Sequence, residues 1–291
     1  MEFLAIVIVY CLSQLWDSAG ALQHDNWIER LSRKSTDMFT SSAMRLGFLI
    51  AVPSLTILIV LALVDSMLLG LMMLIIYVGT LLFSLGRGDY GEDLYRYLNS
   101  WNQGNFESAY ENAFQIQGFQ PTDTVTDSLS LHQAVKTAFL YYGFERWFAV
   151  IFWFLVLGPV GAVGYRVAFL SARSDVLESD DRALAVRVIH YLDWLPSRLL
   201  VLSFTLTGNF VNGFSHSWGE IWSDQSASKL INSCAMAALD GAEKPLNEGD
   251  RDHSEKIIHY GREQMLALKS LMSRSAMCWL IVIAVLTLVA G

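Results

Sequence analysis

The sequence predicts an all-α polytopic membrane protein, and three observations carry that prediction. Of 291 residues, 53% are hydrophobic and only 16% charged, where an average soluble domain carries about a quarter charged. The shortfall is concentrated in a few long apolar runs. No stretch reads as a series of alternating strands, so the crossing elements are expected to be helices.

The first apolar segment, residues 3–15, lacks a basic flank: the first Lys or Arg is Arg30, and no small-x-small cleavage site follows closely. It is expected to stay in place as a short anchor or buried helix. Runs 46–64 and 67–85 each supply roughly the 20 residues a helix needs to cross the hydrocarbon at about 1.5 Å per residue. Only Asp65 and Ser66 separate them. A tight helical hairpin follows, with Asp65 at its tip in the headgroup region and Arg45 and Arg87 flanking its open end.

The third run, 147–170, opens with Trp147, Phe148, Phe152, Trp153 and Phe154 and contains Gly158-Pro159 and the spacing Gly158, Gly161, Gly164. Small residues at that spacing let another helix approach closely; alternatively, a kink around Pro159 lines a cavity. Arg166 is the one basic residue within it. It either snorkels to the interface or pairs with a buried acid or a ligand phosphate. The fourth run, 276–290, is short and is expected to continue a preceding helix carrying the stripe Ile258, Gly261, Met265, Leu268 and Met272. Residues 199–214, with their Ser, Thr, Asn and Gly, suit a buried or interfacial helix.

The intervening polar stretches, 16–45, 86–146 and 171–275, hold four, four and eleven Lys and Arg residues. That bias places the longest on the cytoplasmic side. Four crossings cannot put all three on one side, so either 199–214 crosses as well or the third run is re-entrant. The stretches carry folded patterns. Leu94, Tyr97, Leu98 and Trp101 follow helical spacing, as do Phe106, Ala109, Tyr110, Ala113 and Phe114, and Asn105 between them is suited to N-cap the second helix. No low-complexity linker divides the chain, so 1–291 is read as one membrane-embedded helical domain.

The net charge of −8 excludes nucleic acid, whose phosphates require clustered Lys and Arg. Cys11, Cys234 and Cys278 make no disulfide framework. The six histidines lack zinc-ligand spacing; His253 and His259, six apart, fall on different helix faces, so no metal is expected. Gly86-Arg87-Gly88-Asp89-Tyr90-Gly91 lacks the Gly-Lys-Ser/Thr ending of a phosphate loop and reads as a flexible exit from the membrane. No catalytic residue or cofactor is assigned. A transporter is excluded by the few spans, the missing repeat and the near absence of ionisable residues within the runs.

The stretch from Arg187 to Arg198 is the most informative. Pro196 disfavours helix at Leu195, which predicts one helix ending near Tyr191 and another starting near Pro196, capped by Asp193. Either this is a capped corner with an interfacial Trp194, or Arg187, His190 and Arg198 form a corner that binds an anion or a lipid headgroup.

Two stretches resemble the AmpE family: Arg146–Ala172 and Val188–Gly208. The residues that carry the resemblance are Arg146, Phe152, Trp153, Gly158, Pro159, Gly164, Tyr165, His190, Asp193, Trp194, Pro196, Arg198 and Gly208. The resemblance implies a non-catalytic, multi-pass regulatory or sensory protein of the bacterial inner membrane, linked to β-lactamase induction, antibiotic resistance and cell-wall state. That family is in turn similar to adenosylcobinamide-phosphate synthases of the CobD/CbiB type, which use ATP and join an amino-propanol phosphate to a corrinoid. Those enzymes follow Tyr-Arg with an Asn-Thr-x-Asp-Ser element. Here Tyr165-Arg166 is kept, but Val167-Ala168-Phe169-Leu170-Ser171-Ala172 follows, and the Glu-Asn and Asp pair is not evident in 133–145. Few ligands for a metal–phosphate remain.

The alternatives are therefore an enzyme of that type acting on a phosphorylated small-molecule or lipid precursor, and a structural or assembly subunit. Candidate ligand- or partner-binding residues are Arg146, Tyr165, Arg166, Arg187, His190, Asp193, Trp194 and Arg198. Expected partners are the lipid bilayer, an anionic or phosphorylated ligand, and a membrane or cytoplasmic protein.

Overall fold

The computed structural model of the protein describes residues 1–15, 26–65, 70–86, 88–119, 127–239 and 254–290. Among them there is no strand. The helices are α1 (Glu2–Leu15), α2 (Asn26–Met38), α3 (Ser42–Asp65), α4 (Gly70–Ser84), α5 (Tyr90–Asn102), α6 (Phe106–Ala113) and α7 (Ser128–Gly143). A π-helical turn, Phe144–Ala149, leads into α8 (Val150–Arg173). Then come α9 (Ser179–Thr207), α10 (Phe210–Glu220), α11 (Ala227–Ala238) and α12 (Ser254–Ala290). The hairpin tip beyond Asp65, Arg87, His24 and His253 lie outside the described residues.

Three stretches are long and apolar enough to cross a membrane: Ser42–Val64, Ser128–Arg173 and Glu255–Val289. Gly70–Ser84 and Glu2–Ser13 are apolar but shorter. Leu55, Leu58, Ile59 and Leu63 on α3, and Ile281, Leu286 and Leu288 on α12, are exposed, which water would penalise and lipid does not. This is an all-α membrane protein.

The chain groups into two compact units, one comprising 1–87 and 146–196, the other 88–145 and 197–291. In the first, α3 and α4 pack on α8, α1 packs on α4, and α2 lies on α3. Leu49, Val163, Val167 and Leu177 form a buried cluster there. Arg45, at the start of α3, pairs with Glu178 at 2.5 Å and Asp181 at 3.3 Å.

The glycine ladder of α8 turns out to do three jobs. Gly158 has φ +64° and ψ −157°, a break inside the helix that suits glycine and is followed by Pro159. Past that break the chain folds so tightly that a side chain on Gly161 would strike the Trp153 carbonyl. Gly164 alone sits against another helix, with Ser54 and Ile50 of α3 in van der Waals range.

The second unit is built on α12, a single helix of 37 residues. It runs into the last apolar run, as the stripe on 258–272 predicts. Leu94, Tyr97, Leu98 and Trp101 are all buried, and the Trp101 indole donates to the Ile258 carbonyl at 3.1 Å. His132 of α7 lies 2.7 Å from Gln264 Oε1 and 3.4 Å from the Tyr97 hydroxyl. Asn105 caps α6, its side chain accepting from Ser108 N at 3.0 Å.

Two expectations are corrected. Residues 199–214 are not one helix: α9 stops at Thr207, and Asn209 starts α10, with its N–H bonded to the Ala238 carbonyl at 2.7 Å. A side chain at Gly208 would meet that same carbonyl at 2.6 Å, so glycine permits the approach. Conversely, no helix ends near Tyr191, because α9 runs unbroken through Pro196.

Candidate functional site

Proline within a helix removes one N–H and leaves the carbonyl four residues earlier without its donor. For Pro196 that carbonyl belongs to Leu192, and it accepts from the Trp153 indole N–H at 3.2 Å. A side chain on α8 thus supplies the donor that Pro196 lacks, which lets α9 continue where the sequence predicts a stop. Asp193 has no new helix to cap. It is buried and accepts from the Tyr165 hydroxyl at 2.8 Å. Trp153, Tyr165, Asp193 and Pro196 therefore form one α8–α9 clamp.

The other candidate residues are placed as follows. Arg166 is fully buried, not snorkelling, with its guanidinium carbon 5.2 Å from the centre of the Phe169 ring. Arg146 is half-buried in the π-helical turn, and its carbonyl accepts from Gly86 N at 3.3 Å. Arg187 is exposed, while Trp194 and His190 are half-buried, the latter edge-on to Tyr191. Arg198 is buried: its Nε donates to the Ile221 carbonyl at 3.1 Å and its Nη2 to the Ser223 carbonyl at 2.7 Å. Burial lowers its pKa, and Asp224 opposes that. On an unbroken helix, eleven residues of rise separate Arg187 from Arg198 by about 16 Å.

A cleft absent from the sequence-based expectations lies beneath α2. Its volume is about 530 Å³. Val52, Pro53, Ile57 and Val163 contribute apolar wall, Trp27 and Leu31 of α2 close it, and Arg30 and Lys34 stand at its edge. Arg30 and Lys34 are exposed, one helical turn apart. The signal was legible in the sequence as Trp27, Ile28 and Leu31 alternating with Arg30, Arg33 and Lys34, the pattern of an interfacial amphipathic helix.

Pairing histidines with one another also overlooks a mixed set. His216 and Glu220 of α10 and Cys234 of α11 have their potential ligand atoms within 4.8 Å of one another. Burial pushes the Cys234 thiol up to about 11, with Ser217 opposing and the Glu220 charge reinforcing.

Fold and site together define an all-helical membrane protein whose motif residues tie its own helices together and whose helix α2 covers an apolar, basic-edged cleft. Residues 1–290 match the family described as "Regulatory signalling modulator protein AmpE", and the chain belongs to that family. It is a regulatory membrane protein. It is also similar to "Cobalamin biosynthesis protein CobD" of Chromobacterium violaceum, 34% identical over 98 residues. That match covers 30% of this chain and 30% of the relative's length. No solved structure matches.

Proposed function

We propose that this protein is a non-catalytic regulator of the bacterial inner membrane, crossing it several times and linked to β-lactamase induction and cell-wall state. One observation carries the reading. Four residues through which the chain resembles its family are engaged with the fold itself: Tyr165 with Asp193, Trp153 with the Leu192 carbonyl, and Arg198 with the Ile221 and Ser223 carbonyls. Groups held this way build a scaffold, whereas a reaction centre needs an acid, base or nucleophile aimed at a substrate position. The ligand favoured by the chemistry is an anionic phospholipid in the cleft under α2, its phosphate at Arg30 and Lys34 and its chain along Val52, Pro53 and Ile57.

Deleting the gene and measuring β-lactamase after a β-lactam challenge tests the regulatory role. The induced level is expected to change and to be restored by the wild-type gene; an unchanged level would overturn the reading. For the ligand, native mass spectrometry should detect retained phosphatidylglycerol that Arg30→Glu/Lys34→Glu releases. A second reading, an enzyme acting on a phosphorylated small-molecule or lipid precursor, is favoured by the 98-residue similarity to CobD. Turnover of ATP with a corrinoid or a polyprenyl phosphate by the purified chain would establish it in place of the first.

A further inference from the structure

We propose that His216, Glu220 and Cys234 form a binding site for a thiophilic divalent cation, zinc being the first candidate. The helices come first. His216 and Glu220 stand four residues apart on α10, which places them on one face. The opposite face of α10 carries the exposed ladder Phe210, Phe214 and Trp218, stacked at 5.6 and 5.5 Å, the kind of aromatic stripe that seats a helix at a membrane interface. The His216–Glu220 face is therefore directed away from that stripe. Cys234 reaches it from α11, which packs against α10.

Both ends of this helix pair are tied. At one end Asn209 N donates to the Ala238 carbonyl; at the other, Arg198 holds the Ile221 and Ser223 carbonyls in the connection. A site on two helices fixed at both ends is preorganised, which a metal centre requires.

The donor set fits the cation. Imidazole, carboxylate and thiolate together match the borderline-soft preference of zinc, and hard cations such as magnesium decline sulfur. His216 Nε2 lies 3.3 Å from Glu220 Oε1. With metal–ligand distances of about 2.0–2.3 Å, a tetrahedral centre places its ligand atoms roughly 3.3–3.8 Å apart. The observed spread, within 4.8 Å, needs only small side-chain rotations to reach that.

The outer shell is in place as well. Gln225 Nε2 donates to Glu220 Oε2 at 3.1 Å, leaving Oε1 turned toward His216. Ser233 Oγ stands 2.6 Å from His216 Nε2, a hydrogen bond that the cation would displace, and water can take the fourth position. His216 is exposed and gives solvent access, while Cys234 is fully buried. That burial argues against the rival reading of the same trio as nucleophile, base and acid, because a substrate has no approach to the sulfur.

The test is titration of the full chain, purified in detergent and stripped with chelator, with Co²⁺ and then Zn²⁺. One equivalent of Co²⁺ should produce a thiolate-to-cobalt charge-transfer band and tetrahedral visible bands, and Zn²⁺ should bleach both. Cys234→Ser should abolish the charge-transfer band, whereas Cys11→Ser and Cys278→Ser should leave it intact. His216→Ala and Glu220→Gln should each weaken binding by more than the roughly 10–100-fold that loss of an outer-shell partner costs. Should Cys234→Ser fail to fold, Glu220→Gln and His216→Ala, at more exposed positions, decide the matter alone. A wild-type chain with no charge-transfer band, a band that survives Cys234→Ser, or affinities unchanged in both α10 variants would overturn the proposal.

Discussion

α3 and the α7–α8 stretch are both apolar enough to span a bilayer, yet they meet different surroundings. Only 11% of the most apolar window of α3 is buried inside the protein, against 56% for the window in 128–173. Hydropathy alone cannot distinguish them, because lipid and a packed protein interior are both apolar. What distinguishes them is what else the helices carry. α8 contains a broken backbone at Gly158, a fully buried Arg166, and the polar atoms of Trp153 and Tyr165 aimed at α9. α3 carries a bare aliphatic face. One helix is a post that others fasten to, and the other is a wall against lipid.

The largest effect expected from this difference comes from adding one methyl group to α8. At Gly161 the new carbon would overlap the Trp153 backbone carbonyl, which cannot swing aside as a side chain can. Gly161→Ala should cost about 3 kcal/mol, at the upper end for overpacking. Thermal unfolding in detergent, followed by loss of the monodisperse chromatographic peak, measures it. A variant as stable as the wild type would show that the chain past Gly158 leaves room for a methyl group at position 161.

Next comes the buried Tyr165–Asp193 bond. Asp193→Ala leaves a buried phenol without its acceptor and should cost about 1–3 kcal/mol. Tyr165→Phe removes the donor, and the double variant should be milder than the sum of the two. Additive losses would mean that the two groups do not depend on each other.

A smaller effect isolates the proline clamp. Trp153→Phe forfeits one hydrogen bond, about 1 kcal/mol. Pro196→Ala restores a backbone N–H to residue 196, able to bond the Leu192 carbonyl within the helix. In that background Trp153→Phe should cost measurably less than in the wild type. Equal costs in both backgrounds would separate the indole from the proline.

These pairs also explain how much was legible in the sequence. Local signals were sufficient where one helix decides the outcome: the apolar runs, the Leu94–Trp101 stripe, the Asn105 cap and the continuity of α12 all follow from spacing along the chain. The α8–α9 clamp was not legible, because Pro196 stops a helix by its own chemistry and only a donor 43 positions earlier in the chain, Trp153, lifts that limit. The sequence marks these residues, but the roles of cap and anion corner follow from neighbours in sequence instead of neighbours in space. The His216–Glu220–Cys234 set escaped for a similar reason: its third member arrives on another helix. The α2 cleft is different, since Trp27, Leu31, Arg30 and Lys34 carry the spacing of an amphipathic helix within a stretch whose overall composition is polar.

The gentlest prediction repeats the first substitution on the other helix. Gly47 lies in α3, exposed, and a carbon added to it meets nothing within 4 Å. With no clash to offset it, alanine's lower conformational entropy in the unfolded chain and better helix propensity should dominate, for a gain of about 0.5–1 kcal/mol. The same chemical change is therefore expected to have opposite signs at positions 47 and 161. A loss at Gly47 comparable to that at Gly161 would place a partner against the α3 face, which would then be an interface between proteins and not a surface for lipid. Cross-linking through a cysteine substituted for Leu58, exposed on the same helix, would then identify that partner as a second copy of this chain or as another protein.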